Sequence, residues 1–283
     1  MNKIYDLHCH STASDGVLSP TEVVLRAHAQ GVQVLALCDH DTIAGISEAA
    51  SAATQCGMQL IHGVEVSTEW EGKGIHIVGL NFDPQHPALI DFLNQQKQLR
   101  QQRAFEIGEK LAKAGIPDAY AGAAALANGE VTRAHYARYL LQIGKVSNET
   151  QAFKRYLGAG KSCFVKAHWA DIPSTIEILH AAGGVAVVAH PLRYNMSVRW
   201  IRKLLADFKN WGGEGMEVAG CGQTGEQRKN LARWAREHGL AGSVGSDFHF
   251  PCGWVELGKG LQLPDDVTPV WKIWDKNRFL NQL

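Results

Sequence analysis

Short apolar, β-branched runs alternate with helical patterns at both ends of this sequence, and that alternation confines the chain to a narrow set of α/β folds. Lys3 to Leu7 is followed by a helical pattern from Pro20 to Gln30, and Val34 to Cys38 by another after Thr42. Such βα repeats build sheets whose parallel strands are covered by helices. The helix at Pro20 carries its own punctuation, with Ser19 as N-cap, Pro20 at the first helical position and Gly31 just past the end. Further strands are expected at Gln59 to Val64 and Ile75 to Leu80, joined through Glu71-Gly72-Lys73-Gly74 as a hairpin.

From about Pro87 to Tyr156 the texture changes to helix after helix, with a glutamine- and arginine-rich stretch from Asn94 to Arg103. The βα alternation then returns. A helix is expected from Ser174 to Ala182, a strand at Val185 to Ala189, a helix near Val198 to Phe208, and a strand at Met216 to Val218. A helix from Glu226 to His238 and a strand at Ala241 to Val244 complete it. The outer parts, residues 1–86 and 166–283, are therefore expected to close into one barrel-like sheet, with 87–165 as a helical insertion over its mouth.

Composition excludes several function classes. With 28 Lys+Arg against 28 Asp+Glu the formal net charge is zero, so no broad electrostatic footprint for duplex nucleic acid or anionic membrane is expected. No apolar run approaches the roughly 20 residues that span a bilayer. The start, MNKIYDLHCHS, lacks the basic segment and apolar stretch of a secretion signal, so a cytoplasmic location is expected. The six cysteines contain no CxxC pair, which fits reduced thiols better than disulfides or a thiolate zinc site.

The polar residues of interest stand where strands end. His8 and His10 follow the first strand in D-L-H-C-H-S and, two apart, point to one side while Cys9 points away. Asp15 follows in S-D-G, then Asp39, His40 and Asp41 after the second strand, and Glu65 after the third in G-V-E-V. His76 lies on the fourth strand, His190 ends the run G-V-A-V-V-A-H-P, and Asp247 and His249 end A-G-S-V-G-S-D-F-H. In a βα barrel the C-terminal strand ends share one mouth, which brings these groups together. A lone histidine after a strand is usually structural, and by default His28, His62, His86, His135, His168, His180 and His238 are read so. Two same-face pairs with carboxylates and imidazoles at five strand ends are another matter, because burying them without cations leaves many polar groups to satisfy. Nine donors exceed what one ion needs. Imidazole mixed with carboxylate, without thiolate, suits manganese, iron or zinc, and clustered ions serve hydrolytic displacement at phosphorus or carbonyl carbon.

At these residues the sequence resembles a known family. D-L-H-C-H-S, S-D-G, C-D-H-D-T, G-V-E-V, A-H-P and S-D-F-H, in this order, are similar to the motifs of the polymerase and histidinol phosphatase (PHP) family. The resemblance implies a distorted (β/α)7 barrel with three ions. His8, His10 and Asp247 would hold one, with Glu65 bridging to another; Asp15, His40 and His249 would hold the second; His76 and His190, with Glu65, the third. Glu65, His190 and Asp247 are the implied catalytic residues. Manganese is the expected ion, with zinc, iron or magnesium as alternatives. Asp6, Asp39 and Asp41 are assigned supporting roles around the ligands.

The helical piece containing V-T-R-A-H-Y-A-R is similar to the subgroup acting on nucleoside 3′,5′-bisphosphates, bacterial members of which are also 5′-to-3′ exoribonucleases. The implied substrate is a nucleoside bisphosphate or a short single-stranded RNA end, with no membrane and no obligate protein partner. A histidinol-phosphate-type or other small-molecule phosphatase on the same ions is the alternative. An amidohydrolase is disfavoured because that class adds a bridging lysine, and no lysine stands at a strand end. Arg133, Arg193, Lys161 and His135 are the candidate phosphate-binding residues, arginine being suited to bidentate phosphate contacts.

Overall fold

A computed structural model describes residues 3–274. The chain runs β1 (Tyr5–Cys9), α1 (Pro20–Ala29), β2 (Val34–Leu37), α2 (Ile46–Cys56), β3 (Gln59–Trp70) and β4 (Lys73–Leu80). Four helices follow: α3 (Pro87–Lys113), α4 (Ala119–Ala124), α5 (Arg133–Gln142) and α6 (Glu149–Ala152), the last running into a π-helical turn at Phe153–Leu157. The alternation resumes with β5 (Ala170–Asp171), α7 (Ile172–Ala181), β6 (Val185–Val188), α8 (Val198–Asn210), β7 (Gly215–Gly220), α9 (Gly225–Glu237) and β8 (Ala241–Gly245).

Seven strands form a nearly closed, barrel-shaped sheet in the order β1-β2-β3-β4-β6-β7-β8, with the two-residue β5 pairing alongside β3. The short parallel strands β2 (VLAL) and β6 (VAVV) are buried along their whole length, as strands covered on both faces must be. Their helices are sharply started. Ser19 and Glu22 close a capping box on α1, Thr224 and Gln227 do so on α9, and Asp171 caps α7. The barrel closes where β1 and β8 end: His10 N donates to Phe248 O at 2.9 Å and Asp247 N to His8 O at 2.8 Å.

One feature differs from the sequence expectation. β3 does not stop near Val64 but continues to Trp70, and β4 begins at Lys73, so the hairpin is longer and Glu65 lies in mid-strand. The turn is the two-residue kind that needs positive φ at both positions, met by Glu71 (48°) and Gly72 (71°). As the expected hairpin requires, β4 is antiparallel to β3, and it is antiparallel to β6 as well, so it presents His76 at the common mouth from its N-terminal half.

The helical segment has a core of its own, built from Ala104, Ile107, Leu111, Tyr136, Leu140 and Leu157 among others. The start of α3 does not belong to it: Leu89, Phe92 and Leu93 pack into the barrel core with Ile172, Ile176 and Leu179 of α7. One long helix thus spans both packing units and fixes their relation.

Candidate metal centre

Everything at the barrel mouth turns on Glu65, which is 1% exposed in the middle of β3. Its Oε1 lies 2.9 Å from His76 Nδ1 and 2.9 Å from His190 Nε2. Its Oε2 lies 2.9 Å from His40 Nδ1, 3.3 Å from His10 Nε2 and 3.4 Å from His8 Nε2. A single carboxylate therefore touches five imidazoles. Asp247 Oδ1 adds contacts of 3.1 Å to His10 Nε2 and 3.5 Å to His8 Nε2. At the outer edge Asp15 faces His249 at 3.3 Å and His40 at 3.8 Å.

The structure thus brings all nine expected donors into one cluster. Within it, three sets have donor atoms within 4.8 Å of one another: His8, His10, Glu65 and Asp247; His10, Asp15, His40 and His249; and His40, Glu65 and His76. His10 and His40 are each shared by two sets, a closer interlocking than the sequence implied. His190 stands outside the three although its Nε2 meets the same Glu65 oxygen as His76.

This donor set fits bound cations. His8 Nε2 and His10 Nε2 face each other at 3.0 Å, where at most one neutral imidazole donates, and the buried Nδ1 atoms of His10 and His190 have no hydrogen-bond partner among the described residues. His40 Nδ1 reaches Glu65 without hydrogen-bond alignment. Burial works against ionising Asp15, Glu65 and Asp247, yet the surrounding imidazoles hold all three carboxyls well below their usual range. Burial likewise opposes protonation of His249, but Asp15 and Asp247 outweigh it and push the ring up to about 9. His10 goes the other way, down to about 3, through burial and the neighbouring His249.

Behind the donors sits a layer that fixes their orientation. Asp6 accepts from Ser246 N and Gly258 N at 2.9 Å each. Asp39 accepts from Ser11 N, Ser11 Oγ and Ser14 Oγ at 2.8, 2.7 and 2.6 Å, folding the loop that carries Asp15. Asp41 accepts from Arg100 Nε at 2.5 Å and Ser67 N at 2.7 Å, which ties α3 to the backbone beside His40. Three mouth residues, Asp41, His190 and Asp247, hold positive φ of 52°, 28° and 52°. Such conformations cost about 1–3 kcal/mol each and persist where the surroundings over-determine them.

Sequence reasoning missed Glu217. This buried residue of β7 brings Oε1 to 2.6 Å from His8 Nδ1, while its Oε2 accepts from the strained His190 N at 2.6 Å. It sets the ring of one donor and the backbone of another. The readable signal was a single carboxylate inside the apolar run Met216-Glu217-Val218. Gly245 makes room for this contact, since a Cβ there would stand 2.3 Å from His8 Cβ and 2.9 Å from Glu217 Oε1.

Two cavities open onto the cluster. The larger, about 440 Å³, lies between barrel and helical segment and is lined by Asp15, His40 and His76 on one side and Arg100, Arg103, Arg133, Phe153 and Trp169 on the other. Arg103 and Arg133 form no ion pair among the described residues. Their guanidiniums rest on aromatic faces, Arg103 at 5.6 Å from Trp169 and Arg133 at 5.8 Å from Phe153. Burial and the other guanidiniums push both downward. Arg103 and Trp169 were not singled out from the sequence. The smaller cavity, about 190 Å³, is lined by His190, Arg193, Glu217, Cys221, Gln223, Gln227 and Asp247. Arg193 donates there to Asp247 Oδ2, so Arg133 and Arg193 occupy different cavities.

The remaining two candidates line neither cavity. Lys161 is exposed in a turn. His135 is buried, and its Nδ1 accepts from Thr132 N at 3.0 Å, completing the capping box of α5.

Known proteins resemble this chain along nearly its whole length. It is 72% identical over 272 residues to the 5′-3′ exoribonuclease of Haemophilus influenzae, covering 96% of this chain and 99% of that protein. It is 41% identical over 270 residues to the 3′,5′-nucleoside bisphosphate phosphatase of Chromobacterium violaceum, covering 94% and 95%. A solved amidohydrolase from Chromobacterium violaceum, with sulfate bound and no metal, superposes with a TM-score of 0.90 at 40% identity over 95% of both chains. Residues 6–157 match the PHP domain, a stretch that begins just before His8 and takes in Glu65 and His76. The chain belongs to the PHP domain family.

Proposed function

We propose that this chain removes the 3′-phosphate from nucleoside 3′,5′-bisphosphates and, by the same reaction, releases nucleotides one at a time from the 5′ end of RNA. The observation that carries the reading is the larger cavity, which joins a donor cluster to a wall where two of the three arginines, Arg103 and Arg133, have no carboxylate partner among the described residues. Its volume of about 440 Å³ falls within the roughly 300–1,000 Å³ of small-molecule pockets. The relatives named for exoribonuclease and bisphosphate phosphatase activity support the same choice.

In this reading the phosphate to be cleaved sits at Glu65 and its imidazoles, and the 5′-phosphate of the same nucleotide sits against Arg103 and Arg133. Bound cations, manganese foremost, would activate water and neutralise the phosphoryl oxygens, with His8, His10, Asp15, His40, Glu65, His76, His190, Asp247 and His249 as their ligands. Water adds to phosphorus, the P–O3′ bond breaks, and O3′ leaves with a proton from that water. On RNA the products are a nucleoside 5′-monophosphate and a chain one residue shorter that carries a new 5′-phosphate. The product end is thus the next substrate. Trp169 and Phe153 keep the guanidiniums in place without neutralising them, so their charge is available to the 5′-phosphate. Free cysteines, three of them buried, accord with a cytoplasmic setting.

The test compares Arg133→Ala with the unsubstituted protein on adenosine 3′,5′-bisphosphate and on adenosine 3′-monophosphate, both with manganese. A charge-assisted contact of about 1.5–3 kcal/mol predicts a ten- to hundredfold fall in kcat/KM on the bisphosphate and little change on the monophosphate. Equal falls on both would place Arg133 at the reacting phosphate instead.

A further inference from the structure

We propose that the smaller cavity, on the β7–β8 side of the cluster, is the subsite for the sugar-phosphate of the nucleotide that follows the scissile phosphate in RNA. The inference rests on the function proposed above and adds the path of the remaining chain. The two substrates differ at one place. In a bisphosphate the reacting phosphate ends in free oxygens, whereas in RNA one of these oxygens is O5′ and carries the rest of the next nucleotide. The first nucleotide fills the larger cavity, so that extra group must leave the cluster elsewhere.

The smaller cavity meets the cluster through His190, Glu217 and Asp247 and shares no lining residue with the larger one, which meets it through Asp15, His40 and His76. The two therefore flank the reacting position from different sides. At about 190 Å³ against about 440 Å³ the smaller has room for a ribose and its phosphate but not for a whole second nucleotide. The base would remain outside, and no base would be read.

Its two carboxylates are engaged, Glu217 by His8 and His190 N and Asp247 by Arg193, and the rest of the lining offers donors to an anion. Arg193 keeps about half of its side chain exposed while one guanidinium nitrogen holds Asp247. Gln223 Oε1 accepts from Gly220 N at 3.0 Å and Gln227 Oε1 accepts from Thr224 N at 2.8 Å. With both oxygens engaged, the two carboxamides are fixed and their Nε2 groups remain as donors with no protein acceptor among the described residues. Gly220 and Gly222 border the same space, so the backbone there offers no side chain to obstruct an incoming chain.

These contacts supply a clean test. In Gln223→Glu and Gln227→Glu the oxygen that accepts from the backbone is kept, the donor becomes an acidic oxygen that repels phosphate, and glutamate is a normal capping-box residue. The doubly substituted protein should hydrolyse adenosine 3′,5′-bisphosphate at the unsubstituted rate, yet lose about tenfold or more in kcat/KM on a 5′-phosphorylated tetraribonucleotide. Equal losses on both substrates, or none on either, would overturn the proposal. A second readout needs no turnover: fluorescence anisotropy of a 3′-labelled, 5′-phosphorylated tetraribonucleotide made uncleavable by a methylphosphonate at its first linkage. Binding about tenfold weaker in the double variant supports the subsite, and unchanged binding refutes it. If the unsubstituted protein left RNA intact, the exoribonuclease reading would fail, and the anisotropy comparison would still decide the fate of the cavity.

Discussion

The barrel mouth and the helical wall opposite it handle charge in contrasting ways. At the mouth Asp15, Glu65 and Asp247 each face two or more imidazoles, and Glu65 alone touches five rings. On the wall, Arg103 and Arg133 have no carboxylate among the described residues and lean on Trp169 and Phe153. The mouth is a set of donors that fits cations, and in the function proposed above the wall supplies the cations for an anion. A phosphate ester with a second phosphate completes both at once, which neither surface achieves within the protein. Arg100 marks the boundary: it joins the wall but is bound to Asp41, so its role is to anchor α3 beside His40.

The hardest blow to this arrangement is Glu65→Ala. Removing the carboxylate that two of the three donor sets share should lower kcat by about a thousandfold or more while the thermal transition stays cooperative. Near-normal turnover at saturating manganese would show that the mouth does not depend on its central carboxylate. A milder break is Glu217→Gln, which keeps the shape but weakens the partner of His8. Loss of such an orienting group typically costs about 10–100-fold in metal affinity, to be read by titration calorimetry of the metal-free protein. An unchanged affinity would reduce Glu217 to a packing residue.

The smallest effect sharpens the comparison through pH. In the metal-free protein His249 is pushed up to about 9, so a cation arriving there must displace a proton. Apparent metal affinity should therefore climb from neutral pH toward about 9, by no more than about tenfold per pH unit, and flatten above. The same shift has the opposite sign for the metal-free fold. A histidine whose folded value is raised above the ordinary 6.5 contributes stability that is full below 6.5 and is lost as pH rises through about 9. The metal-free Tm should drop across the window in which metal binding strengthens. A rising Tm there would mean that His249 is not held by Asp15 and Asp247.

How much of this was legible in the sequence follows from the range of each signal. The parallel strands were readable because burial on both faces makes them continuous apolar runs, as in Val34–Leu37 and Val185–Val188. The pairs His8/His10 and Asp247/His249 were readable because a spacing of two is local. The length of β3 was misjudged because Glu65 looked like a residue at a strand end, whereas the hairpin partner β4 carries the strand on to Trp70. Glu217 was passed over because a lone acid among apolar neighbours does not announce the histidine it meets across the barrel. Arg103 sat in a stretch of α3 rich in glutamine and arginine that reads as a solvated face, and its aromatic support, Trp169, lies far along the chain. The separation of Arg133 and Arg193 into two cavities depends on where the helical segment that carries Arg133 sits against the barrel and on Arg193 following β6, neither of which spacing reveals.

Closure itself has a consequence. The first and last strands meet through backbone bonds at His8, His10, Asp247 and Phe248, and these positions carry or adjoin the donors His8, His10 and Asp247. The barrel's seam and its ion cluster are the same place. A cation bound there acts as a clasp that joins two ends of the polypeptide lying nearly its whole length apart. Closing so long a loop is entropically costly, and a bridge across it restricts the unfolded ensemble most. Chelation would then loosen more than the chemistry, freeing the end strands to part before the helix-covered middle of the sheet does. The catalytic inventory of this chain thus doubles as its fastening.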